Sequence, residues 1–381
     1  MSRELEIDVD VLESRHSALL FVGDLTWPAQ RTPTVLLEPD LRASAALVPN
    51  LEGPVLDGGR DWRLRSGATC GVWNGSSALD ALAAMETELV GGANNHATDF
   101  RDGLQSTAGE LERRGIALGG VGESREAACR PVLVSLSDGG RVLVLFIGDR
   151  RVGCIPPRRG RPGVNVMSER ESRVAIEKLR VDFPDAIIIA SVHAGEELQL
   201  YPAPYVRTWF RKLATAGADV VIGHHPHVRH GAEKVGASWI FYSLGNFLMG
   251  AQEYVGVRVG YPESANASLG VLVGGDRVAA VRFTADPEGG SVRQVGDVVA
   301  PELLGGDDLE TGTGLDEESY SAWYRERRTV AWWYPLWTGR ESALAASTKT
   351  CWLRAVTLAR RIVFRLRAPG RAARAVRLSP R

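Results

Sequence analysis

The chain has 381 residues, more than one compact core usually needs, with 44% apolar residues and a formal net charge of −1. Apolar content of that order is ordinary for a globular protein, and near-neutral charge gives no bulk attraction to nucleic acid or to a membrane surface. The four cysteines (Cys70, Cys129, Cys154 and Cys351) form no Cys-x-x-Cys pair, which argues against a thiolate zinc site or a disulfide framework and for free thiols in a reducing compartment.

The first residues, with Glu4, Glu6 and Asp8, are too acidic for a signal peptide, and no apolar h-region follows. No run of 18 apolar residues occurs, so no membrane-spanning helix is expected and cytoplasmic residence is the default. Short apolar runs then alternate with helix-period segments, the pattern of a layered α/β fold. Residues 18–22 read as a buried strand ending at Gly23-Asp24. Residues 45–48 read as a second, ending at Pro49-Asn50-Leu51-Glu52. A helix is expected over 76–89, and the segment around Val90 leads to Gly91-Gly92-Ala93-Asn94-Asn95-His96. Residues 103–114 read as helix, 141–147 as strand, and 168–182 as a charged amphipathic helix. Residues 186–192 form a buried strand ending at His193, and 203–216 a helix. The next apolar run (Ala218, Val220, Val221, Ile222) enters the turn Gly223-His224-His225-Pro226-His227, and a strand over 239–242 ends in Ser243-Leu244-Gly245-Asn246-Phe247. Each polar cluster follows an apolar run directly. Five or six strand ends therefore converge on one rim of a sheet, where α/β proteins collect their ligands.

Beyond residue 250 the texture changes. Residues 269–273 and 278–283 read as a β-hairpin around Gly274-Gly275-Asp276, and 305–319 as an exposed acidic, Gly-rich loop. A Trp-rich stretch follows (Trp323, Trp332, Trp333, Trp337). Residues 342–381 hold nine Arg and one Lys but no Asp or Glu. The segment from Trp352 to Leu366 reads either as a basic amphipathic helix able to lie on an anionic membrane surface or as a solvated tail. The expected division is an N-terminal segment (1–17), a main domain (18–300), the acidic loop with the Trp-rich segment (301–340) and the basic tail (341–381). No internal repeat is visible. No aromatic-interleaved basic groove points to nucleic acid.

Six of the seven histidines lie between His96 and His230. A two-metal hydrolytic site needs an anionic bridging ligand, imidazoles and oxygen donors on each cation, and an open position for water. The strand ends supply those types in Asp24, Glu52, Asn95, His193, His225 and His227. His96 is placed to act as a general acid, and Asp99 to orient its imidazole. Each residue alone has a plainer reading. Asp24 could cap a turn, the Asn95–Asp99 segment could be a loop with a capping Asp, and His193 could be a hydrogen-bonded core residue. Glu196 and Glu197 read as solvated turn residues or outer partners of the ligands, and His16 and His230 as surface residues. The triple-His turn is the most specific signal, because three imidazoles in five residues have little packing use.

Six motifs, in order and spacing, carry a resemblance: Gly23-Asp24, Asn50-Leu51-Glu52-Gly53-Pro54, Ala93-Asn94-Asn95-His96-Ala97-Thr98-Asp99, Val192-His193-Ala194-Gly195-Glu196, Gly223-His224-His225-Pro226-His227-Val228 and Ser243-Leu244-Gly245-Asn246-Phe247. The chain is identified over residues 18–285 as resembling the CapA family, the capsule or poly-γ-glutamate biosynthesis proteins that are similar to calcineurin-like metallophosphoesterases. The resemblance implies a four-layered α/β/β/α metallophosphatase-like sandwich, here with a C-terminal Trp-rich and basic extension. It implies that Asp24 and His227 bind a first divalent metal, that Asn95, His193 and His225 hold a second, and that Glu52 bridges the two. His96 would be the proton donor, and His224 matches no ligand. The metals would be Mn, Fe or Zn. The family commonly carries Trp after the histidine of the fourth motif; here Ala194 stands there.

Two functions follow as expectations. One is a dinuclear-metal-dependent, phosphoesterase-like hydrolase acting on an anionic small molecule or polymer in capsule, poly-γ-glutamate or related biosynthesis. The other is an accessory subunit, non-catalytic or weakly catalytic, of a polymer-synthesis complex that includes a biosynthetic ligase. A membrane-surface module led by the basic tail is a third, weaker reading.

Overall fold

The computed structural model describes residues 8–328 except 57–61, 66–70, 251, 255–256, 260, 262, 276, 289 and 305–313, together with residues 351 and 355. Strand β2 (Ala18–Thr26) shows why the layers form: all nine of its residues are buried. Alternate side chains of a strand point to opposite faces. Leu19 and Phe21 enter one apolar cluster, Leu20 and Val22 another. A strand apolar on both faces must be covered on both.

The first sheet has seven strands in the order β1 (Asp10–Glu13), β8 (Val132–Ser135), β9 (Arg141–Gly148), β11 (Ile187–His193), β12 (Val220–His224), β14 (Ser238–Phe241) and β13 (Ala232–Val235). Its four central strands, β9, β11, β12 and β14, are parallel. The second sheet runs β3 (Thr34–Leu36), β20 (Ser291–Val299), β19 (Arg277–Asp286), β18 (Ala267–Gly274), β2, β4 (Ala45–Leu51), β5 (Leu89–Gly91) and β6 (Ala117–Gly119). In it β15 (Asn246–Met249) also pairs with β2. Strands β2, β4, β5 and β6 are parallel, and β18, β19 and β20 extend the sheet as an antiparallel meander. Two short ribbons complete the strands: β7 (Val121–Gly122) with β10 (Gly163–Val164), and β16 (Gln252–Tyr254) with β17 (Val257–Val259).

Three apolar clusters define four layers. Between the sheets lie Phe21 and Val48 from one sheet and Val144, Ile189, Ile222 and Phe241 from the other. Outside the second sheet, Leu20 and Leu47 meet α1 (Pro39–Ser44), α2 (Ser76–Ala84) and α3 (Gly103–Glu112) through Leu41, Leu79, Leu82 and Leu111. Outside the first sheet, Leu145 and Ile188 meet α5 (Glu169–Asp182), α6 (Pro204–Thr215) and α7 (Glu317–Arg327) through Ile176, Trp209, Phe210 and Tyr320. The order helix, sheet, sheet, helix is the expected four-layered α/β/β/α sandwich. A further helix, α4 (Arg125–Ala128), packs on the β7–β10 ribbon. Helix α5 is set locally by a capping box: the Ser168 side chain accepts from Glu171 N–H, and the Glu171 carboxylate accepts from Ser168 N–H.

Several expectations change. The helix expected over 76–89 stops at Ala84, because Glu86 takes φ +51° and Leu89 begins a buried strand. Within the loop expected over 305–319, Glu317–Ser319 form the first turn of α7, capped by Asp316, whose side chain accepts from Ser319 N–H at 2.7 Å. Trp323, from the Trp-rich stretch, lies in α7 and makes an edge contact with Tyr201. Trp332, Trp333, Trp337 and the expected tail helix lie outside the described residues. His16 and His230 are not surface residues but are 5% and 3% exposed. Among the described residues no helix is long and apolar enough to cross a membrane.

Candidate metal centre

The parallel strands of both sheets deliver their C-terminal ends to one place. In the second sheet Asp24 stands in register with Asn50 of β4 and with Asn246 of β15. A β-bulge between Val22 and Asp24 turns the strand there. Gly23 at the bulge admits no side chain: a Cβ would sit 2.0 Å from the Gly245 carbonyl oxygen. In the first sheet His193 closes β11 opposite His224, which closes β12. The next turn carries His225 at φ +96° and His227 at φ +60°. Left-handed backbone at non-glycine residues costs about 1–3 kcal/mol and persists where surroundings over-determine it, often at functional sites.

All six residues expected to be ligands meet there. Asp24 Oδ2 lies 3.4 Å from His227 Nδ1, and Glu52 Oε2 lies 3.9 Å from the same nitrogen. Glu52 Oε1 lies 3.8 Å from His193 Nε2, and Asn95 Oδ1 is 2.7 Å from that nitrogen. The His225 ring centroid is 4.9 Å from that of His193 and 5.8 Å from that of His227. Among the described residues three groups of side chains have ligand atoms close enough to share a cation: Asp24, Glu52 and His227; Glu52, His193 and His225; and Glu197, His225 and His227. Glu52 belongs to the first two.

The donor set suits a divalent cation of borderline softness, which takes mixed carboxylate, amide and imidazole shells. Asp24 and Glu52 are both 0% exposed, and among the described residues neither Glu52 oxygen has a hydrogen-bond partner. A buried carboxylate without partners is costly, and a cation is its natural complement. Burial pushes the Glu52 carboxyl up to about 7. Burial also opposes charge on Asp24, but the neighbouring His224, His193 and His227 imidazoles hold that carboxyl below the usual carboxylate range. Burial drives His193 well below its ordinary value and His225 down to about 4, which favours the neutral imidazole a metal requires. At His227 burial is outweighed by Glu52 and Asp24, and the imidazole is raised.

His96 sits on the rim, with its side chain 21% exposed. Its Nδ1 is 2.7 Å from Asp99 Oδ2, and that oxygen also accepts from Val72 N–H at 3.0 Å. Burial opposes the imidazolium, but the Asp99 charge and hydrogen bond raise it to about 9. Its Nε2 faces inward, 3.9 Å from Glu52 Oε1. The arrangement holds a proton on the edge that faces the buried carboxylate.

Sequence reasoning assigned no role to several neighbours. Asn50 Nδ2 donates to Asp24 Oδ1 at 2.7 Å and lies 3.2 Å from His193 Nδ1. Asn246 Oδ1 is 2.9 Å from His227 Nδ1. Both asparagines close apolar runs as Asp24 does, and that was the available signal. His224, without a ligand role in the sequence reading, places Nδ1 3.3 Å from Asp24 Oδ1. Glu197, read as a turn residue or outer partner, lies 4.0 Å from His225 Nε2. Tyr261, whose hydroxyl is 3.2 Å from His227 Nε2, gave no local signal.

Residues 24–251 match the model of the family described as bacterial capsule synthesis protein PGA_cap. The chain is 28% identical over 213 residues to the PGA biosynthesis protein CapA of Bacillus subtilis (strain 168), covering 56% of this chain and 55% of that one. It is 26% identical over 215 residues to the capsule biosynthesis protein CapA of Bacillus anthracis, covering 56% and 52%. It is 32% identical over 204 residues to a probable polyglutamine synthesis accessory protein of Mycobacterium tuberculosis, covering 51% and 52%. The chain thus spans about half the length of the curated relatives it matches. Among solved structures, the Haemophilus influenzae NAD nucleotidase (NadN) aligns over 91% of this chain and 60% of its own, with a TM-score of 0.33 and 10% identity, too distant to bear on function.

Proposed function

This chain belongs to the bacterial capsule synthesis (PGA_cap) family, and from that premise we propose that it is a dinuclear-metal-dependent, phosphoesterase-like hydrolase serving the biosynthesis of capsule, poly-γ-glutamate or a related polymer. One observation carries the reading. Glu52 is fully buried, without a hydrogen bond at either oxygen among the described residues, and common to two groups of metal-capable side chains. Asp24 and His227 would hold one divalent cation, Asn95, His193 and His225 a second, with Glu52 shared between them. When bound, such a pair supplies Lewis acidity and an acidified water.

The chain's own residues supply the rest. His96 Nε2 carries the proton for a leaving group, and Asp99 fixes the ring through Nδ1 and keeps it protonated. Asn50 and Asn246 orient Asp24 and His227. The test joins metal analysis of protein purified without added metal to a panel of phosphomonoester, phosphodiester and γ-glutamyl amide substrates. Turnover abolished by chelation and by the Asp24→Ala, His227→Ala double variant is expected. Full activity in that variant would overturn the reading.

A second reading has its own support: the Mycobacterium tuberculosis relative is described as an accessory protein. In that case the same centre would bind polymer carboxylates within a synthesis complex that includes a ligase. It predicts that a His96→Ala variant restores polymer production in cells lacking this protein, whereas the hydrolase reading predicts that it does not.

A further inference from the structure

Helix α7 lies outside the residues that match the family model, yet it grips the segment that leaves the candidate centre after His193. One side of that segment, residues 194–202, is bonded to the histidine turn. Ala194 N–H donates to the His224 carbonyl at 3.1 Å, and Leu198 N–H to the Pro226 carbonyl at 2.8 Å. The approach is close at Gly195, which has φ +126° and where a Cβ would stand 3.1 Å from Pro226 Cγ. The other side is held by α7. The Tyr324 hydroxyl donates to Glu196 Oε2 at 3.2 Å, and Arg328 Nε donates to the same oxygen at 2.9 Å. Further along, the Tyr320 hydroxyl donates to the Pro202 carbonyl at 2.7 Å, and Trp323 meets Tyr201 edge-on.

The helix is itself anchored. Tyr320 and Tyr324 belong to the apolar cluster outside the first sheet. Arg207, 2% exposed, lies 4.3 Å over the Tyr320 ring and donates to the Leu315 carbonyl at 3.0 Å. A surface pair such as Glu196–Arg328, with side chains 34% and 43% exposed, adds little stability. What it fixes is a direction. The Glu196 carboxylate is turned to α7, while that of the next residue, Glu197, reaches the centre, with Oε1 4.0 Å from His225 Nε2. Glu197, His225 and His227 form the third group able to share a cation. Unlike Glu52, the Glu197 side chain is 40% exposed, so water can solvate its charge and burial does not hold it there. Keeping such a side chain beside two imidazoles costs conformational entropy unless the backbone is fixed for it.

We propose that α7 is a strap: by holding Glu196 it keeps Glu197 beside His225 as a further carboxylate ligand on the open side of the centre, and so sets how tightly the centre holds its cation. This rests on reading the centre as a divalent-metal site. Glu196, Tyr324 and Arg328 act through Glu197 as positioning residues. The probe is cobalt(II), whose visible absorption follows its ligand set, titrated into the full chain against a competing chelator. Tyr324→Phe, Arg328→Gln should weaken cobalt binding about tenfold, the usual loss when an outer partner of a ligand is removed, and should change the absorption band. Glu197→Gln should do the same, and adding the two strap substitutions to it should cost nothing further. Arg328→Lys with Tyr324 kept should retain most of the native affinity. Circular dichroism melts check folding. If the double variant does not fold, Arg328→Gln alone, at the exposed end of the helix, carries the same comparison. Unchanged affinity and absorption in the strap variant overturn the proposal and leave the metal reading standing. So do strap losses that simply add to that of Glu197→Gln, the mark of a merely structural helix. A native chain that takes up no cobalt overturns the metal reading and the strap with it.

Discussion

The Asn50 side-chain amide donates to Asp24 Oδ1 at 2.7 Å, across a register pair of neighbouring parallel strands. The same nitrogen lies 3.2 Å from His193 Nδ1, at the end of the other sheet. One neutral amide thus links a carboxylate from one layer to an imidazole from the next. Partners of this kind fix the direction in which a ligand presents its lone pair, and losing one typically costs tenfold to hundredfold in metal affinity. Asn50→Ala should therefore lose metal content in that range in competition with a chelator, and in chelator it should also lose roughly 1–3 kcal/mol of stability, because the buried Asp24 Oδ1 is left without that donor. Unchanged metal affinity would remove Asn50 from the site.

Glu52 makes the opposite prediction for the metal-free protein. With no hydrogen bond to either oxygen among the described residues and no exposure, its charge is a liability until a cation arrives. Glu52→Gln should stabilise the chelated protein by roughly 1–3 kcal/mol above pH 7, by removing a buried carboxylate whose nearest imidazole nitrogens, at 3.8–3.9 Å, make no hydrogen bond to it. The same change should shrink the stabilisation given by metal, which for the native residue at a hundredfold excess over Kd is about 2.7 kcal/mol. Thermal melts with and without chelator read both effects. If Glu52→Gln destabilised both forms alike, the residue would be structural.

His96 and Asp99 should separate chemistry from binding. A positioned general acid contributes typically 10²–10⁴-fold. His96→Ala should lower kcat by about that factor without changing metal content, and the loss should shrink for a substrate whose leaving group needs no proton. Asp99→Asn should lower kcat less and also destabilise the loop, since Asp99 Oδ2 accepts from Val72 N–H at 3.0 Å. A His96→Ala loss that is the same for good and poor leaving groups would remove the proton-donor role.

The strands that build the core were legible because each is apolar on both faces, and β9 and β11 were placed to within a residue or two. Strand β1 was not: Asp10–Glu13 has two acids in four residues and joins the sheet at its edge, where backbone pairing to β8 sets the structure and side-chain pattern does not. The strand ends were legible as a row of polar residues after apolar runs, and this placed Asp24, Glu52 and His193 on one rim. What could not be read was how the three histidines of the turn divide around the site, since all three are buried there. His224, His225 and His227 are told apart by the left-handed backbone at His225 and His227, a property of the turn in three dimensions. The contact of Tyr261 with His227 comes from a segment 34 residues further along the chain, with no local pattern to announce it.

His230 was read as a surface residue, and its burial gives a stability prediction independent of metal. The ring is 3% exposed, its Nε2 is 2.7 Å from the Gln199 carbonyl, and its Nδ1 has no hydrogen-bond partner among the described residues. Burial moves it down from an ordinary value of 6.5 to about 4. The folded state therefore keeps the ring neutral where the unfolded chain would protonate it. Between those two values the unfolded state binds the extra proton, so the contribution is fully present above about pH 6.5 and is lost as pH falls toward 4. At pH 5.5 the loss amounts to roughly 1.4 kcal/mol. His230→Gln, which keeps a donor for the Gln199 carbonyl and cannot titrate, should remove that part of the acid sensitivity. Urea titrations of both proteins at pH 7.5 and 5.5, in chelator so that the clustered histidines respond alike in each, give the difference. Equal acid sensitivity in the two would mean that His230 is not held neutral by its burial.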